Sequence, residues 1–225
     1  MAEFTIILAN KNYSSWSLRG WIALKATGAE FEEIVVPLRE AETRTTLLRY
    51  SPSGKVPCLV HGAVTVWESL AIGEYLAEIF PNAGLWPKNA AARAHARAIA
   101  SEMHAGFIPL RRSLPMNIRA KHNGLPISED VQQDINRIEA IWRDTRDRFG
   151  GEGPFLFGQF GLADAMFAPV VARFVTYGIA LGEESSHYRD AIMGHPFLVE
   201  WCAAAKAEPW MIPDFELDST GKPQS

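Results

Sequence analysis

The sequence predicts a small α/β unit followed by an all-helical one. Three observations carry this prediction. Strand-like and helix-like runs alternate up to Phe80 in the order β-α-β-α-β-β-α, which is an α/β layer unit with one antiparallel hairpin. After Phe80 no convincing strand follows. Between the halves, Pro81, Gly84 and Pro87 punctuate a linker that carries Trp86 as a buried aromatic anchor. The boundaries read from these shifts are residues 1–80 for the first unit, 81–88 for the linker, 89–210 for the helical unit and 211–225 for an irregular tail.

Each element has a local reason. Residues 4–9 are an Ile-rich strand bounded by Asn10, Lys11 and Asn12. Residues 15–26 form a helix with Leu18, Trp21 and Ile22 on one face and Gly28 just past its end. Residues 31–36 form a second strand, and residues 39–50 a polar, exposed helix. Residues 58–60 and 64–67 pair as a hairpin around His61 and Gly62. Residues 69–80 are helical, with Ile72, Leu76, Ile79 and Phe80 turned inward. In the second half, residues 89–114 are Ala-rich and helical, with Pro109 kinking or ending the run. A polar loop spans 117–126. Val131, Ile135, Ile138, Trp142 and Phe149 then recur at helical spacing over 128–149. Gly150, Gly151, Gly153 and Pro154 break that helix. Residues 162–178 read as an apolar buried helix, and His195-Pro196 opens another that runs to about residue 207. Residues 220–225 are expected to be disordered.

Composition excludes several classes of function. The chain has 225 residues, 48% of them hydrophobic, so a sizeable core can form. Its net charge of −4, without a long basic run, argues against nucleic acid as a partner. No apolar stretch is long enough to span a bilayer, so no membrane partner is expected. The N-terminus has no charged n-region, and a cytoplasmic location is the default expectation. Cys58 and Cys202 form no C-x-x-C, and none of the 6 histidines pairs at i, i+4, so no metal site is expected.

The residues able to carry chemistry lie in the first unit. Val56-Pro57 precedes a short apolar strand. Proline lacks an N–H and its preceding bond can be cis, so Val56 is able to turn its N–H and C=O toward an extended ligand. Glu68-Ser69 opens a helix, where unpaired N–H groups favour a carboxylate and the neighbouring acid suits an amine. A strand edge, an anion site and a cation site side by side fit a small zwitterionic peptide. Tyr13-Ser14-Ser15-Trp16-Ser17-Leu18-Arg19 sets hydroxyls at the positive end of the first predicted helix. Serines there serve either as caps or as stabilisers of an anion.

Together these runs resemble the glutathione S-transferases, over nearly the whole chain to about Trp210. The resemblance implies a thioredoxin-like N-terminal domain, a helical-bundle C-terminal domain, and glutathione as co-substrate with no metal. By resemblance Ser69 holds the γ-glutamyl carboxylate, Glu68 the amine, and Val56, ahead of Pro57, pairs with the cysteinyl backbone. Lys55 is the candidate for the glycyl carboxylate, with Arg39 and Arg44 as alternatives. The serine segment resembles the zeta-class pattern of the maleylacetoacetate isomerases. That likeness assigns activation of the glutathione sulfur to Ser14, with Ser15 in support. Lowering a thiol pKa from about 8.5 by two units takes about 2.7 kcal/mol, and one hydrogen bond to the charged form supplies about 1.5–3 kcal/mol. Trp16 stands where the zeta pattern has cysteine, and is assigned to the acceptor pocket. Asn12, Tyr13, Met103, Phe107 and Arg111 are the other expected pocket residues, with Trp210 closing it. Arg111 and the adjacent Arg112 cannot both face the cleft. Phe160-Gly161-Leu162-Ala163-Asp164 resembles the family's folding motif, with Asp164 in a structural role.

The activity so implied is conjugation of the glutathione thiolate to a small electrophile by a cytoplasmic homodimer serving detoxification. Two alternatives stand beside it: a glutathione-dependent cis-trans isomerase of the maleylacetoacetate type, and a non-catalytic ligand-binding protein of the same fold.

Overall fold

The computed structural model describes residues 3–218 and 220–223. The first unit holds four strands, β1 (Phe4–Leu8), β2 (Phe31–Val35), β3 (Cys58–His61) and β4 (Val64–Trp67), in the order β2-β1-β3-β4. β1 runs parallel to β2, as a strand pair joined by a crossover helix must, and antiparallel to β3; β3 and β4 form the hairpin. Strand periodicity divides the core. Phe4, Ile6 and Leu8 point to α1 (Ser15–Lys25) and α3 (Ser69–Ile79), while Ile7 points the other way with Val36, Leu47 and Cys58.

The remaining elements are helical: α4 (Ala90–Ala105), α5 (Ile108–Ser113), α6 (Glu129–Phe149), α7 (Leu162–Thr176), α8 (Glu183–Gly194) and α9 (Pro196–Ala207). α7 is buried almost all round and packs on α1, α4 and α8, so the two units share one core. Asp164 organises its start. Its carboxylate accepts Leu156 N–H (3.1 Å), Gly161 N–H (2.9 Å) and the Tyr188 hydroxyl (3.0 Å). Burial outweighs these bonds and pushes its pKa up to about 6.

Four sequence expectations need correction. The helix expected over 39–50 shrinks to α2 (Thr43–Leu47). Arg39 adopts φ 67°, and Thr43 Oγ1 donates to Pro37 C=O and accepts Glu40 N–H, so a turn replaces the first helical turns. The helix expected over 89–114 breaks at Phe107, which sits at φ 58°, and restarts with Pro109 in its first turn. Asp134 takes the N–H of Leu110 there (3.0 Å). α8 was not foreseen, because its polar sequence buries only Ser185, Tyr188 and Ile192. Finally, residues 220–223 are ordered around Asp218, which accepts the N–H groups of Thr220 and Lys222, and Leu217 bridges to Pro223. Gln224 and Ser225 lie outside the described residues.

The C-terminal segments clamp the loop between β1 and α1. Glu208 accepts the N–H groups of Lys11 (2.7 Å) and Asn12 (3.0 Å), and Trp201 Nε1 donates to Lys11 C=O (2.9 Å). Tyr13 donates to Glu216 (2.5 Å) and accepts from Arg119 (2.9 Å). The start of α1 is thereby held from both units.

Candidate active site

α1 begins with three serines whose hydroxyls do different things. Ser14 is the N-cap: its Oγ accepts Ser17 N–H (3.2 Å) and donates to Ser17 Oγ (2.8 Å), which also accepts Ala9 N–H (2.9 Å). Ser15 is the first helical residue, and its Oγ accepts Nη2 of Arg173 (3.4 Å). Arg173 projects from α7; its Nε donates to Leu114 C=O (2.8 Å) and its Nη1 to Pro169 C=O (3.1 Å). Two guanidiniums pack over the Trp16 ring, Arg19 at 4.8 Å and Arg111 at 4.9 Å from its centre.

Among the described residues these cations have no carboxylate partner. Arg19 is buried; its Nε donates to Met166 C=O (3.0 Å), and its Nη1 has no partner. Burial, with repulsion from Arg173 and Arg111, holds its pKa well below the ordinary arginine value. Burial lowers Arg173 to about 10, with Arg111 adding repulsion, so it stays charged at neutral pH. Arg111, Arg112 and Arg173 line a cleft of about 330 Å³ together with Tyr13, Ser14, Ser15 and Trp16, and among the described residues no Asp or Glu lines it; both adjacent arginines reach it, against the expectation that only one would, because long side chains at the end of the short α5 can converge.

A second group of unused polar atoms lies on the same unit. The Val56–Pro57 bond is cis, and neither the N–H nor the C=O of Val56 is hydrogen-bonded among the described residues. Gly20 of α1 abuts Pro57 so closely that a Cβ there would sit 2.8 Å from the ring. Glu68 takes φ 70° at the start of α3, leaving its side chain half exposed. Ser69 is fully buried, and its hydroxyl has no partner among the described residues. His104 of α4 joins the two groups: its ring packs edge-on to Trp16 at 4.9 Å, and its Nε2 lies 3.7 Å from Glu68 Oε2. Burial, then repulsion from Arg19, lowers the pKa of His104 against the pull of Glu68, which favours the neutral ring.

Comparison with known sequences decides what this arrangement belongs to. The family model for the glutathione S-transferase N-terminal domain matches residues 13–79, and that for the C-terminal domain matches residues 90–204. The chain belongs to the glutathione S-transferase family.

Its relatives include a probable maleylacetoacetate isomerase of Caenorhabditis elegans, 41% identical over 43% of this chain and 44% of that one. Glutathione S-transferase 1 of Dianthus caryophyllus is 29% identical over 75% of this chain and 76% of its own. Maleylacetoacetate isomerase of Rattus norvegicus is 28% identical over 80% and 82%. A glutathione transferase homologue from Burkholderia GL BGR1, solved with bound glutathione, shares the fold: TM-score 0.70 at 22% identity, covering 91% of this chain and 99% of that one. A Tau class transferase from mango superposes with TM-score 0.69 at 19% identity, over 91% and 96%. The family fold is thus present in full, a thioredoxin-like unit followed by a helical one.

Of the residues that the family resemblance singles out, Tyr13, Ser14, Ser15, Trp16 and Arg111 meet on the cleft. Val56 and Pro57 directly precede β3, and Glu68 and Ser69 stand where β4 passes into α3. Lys55 is exposed beside them, its N–H given to Ser53 Oγ (3.2 Å). Of the two alternatives to Lys55, Arg39 is paired with Asp214 at 3.3 Å, and Arg44 brings its guanidinium up to Gly54. Asn12, Met103 and Phe107 do not line the cleft. Asn12 is fully buried, donating to Asn117 Oδ1 (2.8 Å) and accepting Arg119 N–H (2.9 Å), so it fastens the loop. Met103 is buried in the helical core, and Phe107 packs there as the break between α4 and α5. Trp210 offers only its C=O to Arg119 (2.6 Å).

Sequence reasoning missed Arg173 and gave Arg19 no role. The available signal was a lone arginine inside the apolar run of α7, since a buried arginine without an acid nearby is rarely a packing choice. Among the described residues no cluster of three metal-binding side chains occurs, and no helix is long and apolar enough to cross a membrane.

Proposed function

We propose that this glutathione transferase binds glutathione along Val56, Glu68 and Ser69 and presents its thiolate to an electrophile in the cleft at Ser14 and Ser15. The observation that carries the reading is the set of unused polar atoms: Val56 N–H and C=O, and the buried Ser69 hydroxyl. A buried polar group without a partner costs stability, so its persistence argues for a ligand that completes it. The γ-glutamyl carboxylate suits Ser69 and the free N–H groups of α3, and the amine suits Glu68. Lys55, exposed and next to Val56 in the chain, is the cation proposed for the glycyl carboxylate.

The reaction is a nucleophilic one. Serine hydroxyls, the start of α1 and the cations Arg19, Arg111 and Arg173 all favour the thiolate over the thiol. The sulfur forms a C–S bond at an electrophilic carbon, and the leaving group departs with its electron pair. Catalysis is orientation and thiolate stabilisation. A cleft walled by Arg111, Arg112 and Arg173 suits an acceptor that carries a carboxylate. A homodimer, residence in the cytoplasm and a part in detoxification belong to this reading, supported by family membership.

The test is the pH dependence of thiolate absorbance in the glutathione complex, with conjugation assayed alongside. A thiol pKa well below that of free glutathione is expected. Binding with no such shift would favour the non-catalytic alternative. One observation also favours the isomerase reading: relatives named maleylacetoacetate isomerase, together with an arginine-lined cleft. Turnover of a maleyl compound to its trans isomer without consumption of glutathione would select it.

A further inference from the structure

A cavity of about 950 Å³, more than twice the volume of the cleft at Ser14, opens at the other end of α1 and shares no residue with that cleft. Ala26, just past α1, residues 83–89 of the linker and the loop ahead of α7 wall it. One side is aromatic. Phe149, Phe155, Phe157, Phe160, His195 and Phe197 all line it, and all are only partly buried. Phe149 stacks on Phe157 (ring centres 5.7 Å apart, planes at 26°), and His195 stacks on Phe160 (4.2 Å, 26°). Phe155 stands edge-on to Phe160 and to His195, 5.5 Å from each. Such a set of faces and edges accepts a flat ring system. Its walls are held in place. Arg146 Nη1 donates to Pro154 C=O (2.6 Å) and Phe155 C=O (3.1 Å), which fixes the loop bearing the rings. Leu162 N–H donates to Leu85 C=O (2.8 Å), which ties the linker to α7.

The linker side carries donors and positive charge. Lys88 is exposed and forms no ion pair among the described residues. Trp86 is only 8% exposed, and its Nε1 has no partner among them. α4 begins here, with Asn89 and Ala92 on the cavity wall, and the positive end of a 16-residue helix favours an anion. Arg148 also lines the cavity, although Asp144 holds it at 2.8 Å. His195 Nδ1 accepts Phe197 N–H (3.3 Å), so its neutral ring bears the proton on Nε2 as a further donor, and burial favours that neutral form. Among the described residues no Asp or Glu lines the cavity. We propose that it binds a flat aromatic anion, a carboxylate or sulfonate on fused or linked rings, with the rings among the phenylalanines and the charge toward Lys88 and Trp86. The volume suits a small molecule of that size. The 11 residues of α1, about 16 Å of helix, separate this site from Ser14, so its occupant is a ligand held apart from the reacting thiolate and not an acceptor.

The test is a fluorescence titration with anilinonaphthalenesulfonate, an aromatic sulfonate whose emission rises in apolar sites. Every titration contains saturating S-hexylglutathione, which displaces dye from the cleft at Ser14. Wild type is compared with Phe157→Ala and Lys88→Glu, and the sulfonate with its uncharged counterpart, phenylnaphthylamine. Dye should still bind wild type, saturating at one per chain. Each variant should weaken it about tenfold while conjugation stays at the wild-type rate, and the uncharged dye should bind about tenfold more weakly than the sulfonate. Lys88 is exposed, so Lys88→Glu tests the charged side even where Phe157→Ala fails to fold. Loss of all bound dye when S-hexylglutathione is present overturns the proposal, and so does equal affinity in wild type and Lys88→Glu. Either result leaves the proposed glutathione chemistry standing, because the two sites share no residue.

Discussion

Replacing Ser69 by alanine should move stability and affinity in opposite directions. The hydroxyl is fully buried, and it has no hydrogen-bond partner among the described residues. An unsatisfied buried hydroxyl costs about 1–3 kcal/mol, so its removal relieves part of that cost and leaves only a methyl-sized change in packing. For a chain of this length each kcal/mol raises Tm by about 2–4 °C. In the complex the same hydroxyl donates to a carboxylate, a charged hydrogen bond contributing about 1.5–3 kcal/mol. Its loss should weaken glutathione binding about 10- to 150-fold. Calorimetric titration with glutathione, and thermal unfolding of the free protein, read the two effects separately. An affinity within twofold of wild type refutes the assignment of Ser69 to the γ-glutamyl carboxylate. A fall in Tm shows that the hydroxyl already has a partner in solution.

Other consequences follow from the same geometry. Gly20→Ala places a methyl 2.8 Å from Pro57, a ring with no freedom to yield, so the variant should lose about 1–3 kcal/mol on denaturant unfolding and bind glutathione more weakly through displaced Val56. Asp164, with its pKa raised to about 6, binds a proton in the folded state at pH values where the unfolded chain has released it. Stability should therefore fall as pH rises from about 4 to 6, and Asp164→Asn should flatten that part of the denaturant-derived profile. An unchanged profile in the variant would mean that another group titrates there. Arg111→Met should reduce kcat/KM for 4-(chloromethyl)benzoate about tenfold while changing its methyl ester little, because only the former presents a charge to the cleft. Equal losses for both acceptors would assign Arg111 to packing on Trp16.

The fold was legible because its signals are local. β1 is a short Ile-rich run, and its alternation puts Ile6 and Ile7 on opposite faces, as found. α6 has apolar residues at helical spacing, and Gly150 ends it. What escaped the sequence lacked such a signal. α8 has a polar sequence and is held by Tyr188, whose hydroxyl reaches Asp164, 24 residues earlier. The turn at Arg39 and the break at Phe107 depend on positive φ at non-glycine residues, which propensity disfavours and only surrounding contacts impose.

The functional segments divide in the same way. The spacing of Val56-Pro57, Glu68-Ser69 and the serines around residue 14 is a property of the chain itself, and pattern alone was enough to resemble a family. Sequence likewise determined that the entry to a strand and two helix starts carry the polar groups, since proline, acids and hydroxyls take those positions for local reasons. Which hydroxyl meets Arg173 and which is spent as a cap was decided by folding. Arg173 reaches Ser15 across 158 residues of chain, and Glu208 reaches Asn12 across 196. Such contacts have no periodicity and no spacing rule. They exist because α7 and the C-terminal segments pack against α1, and only that packing sets buried cations beside one serine and leaves its neighbour to cap the helix.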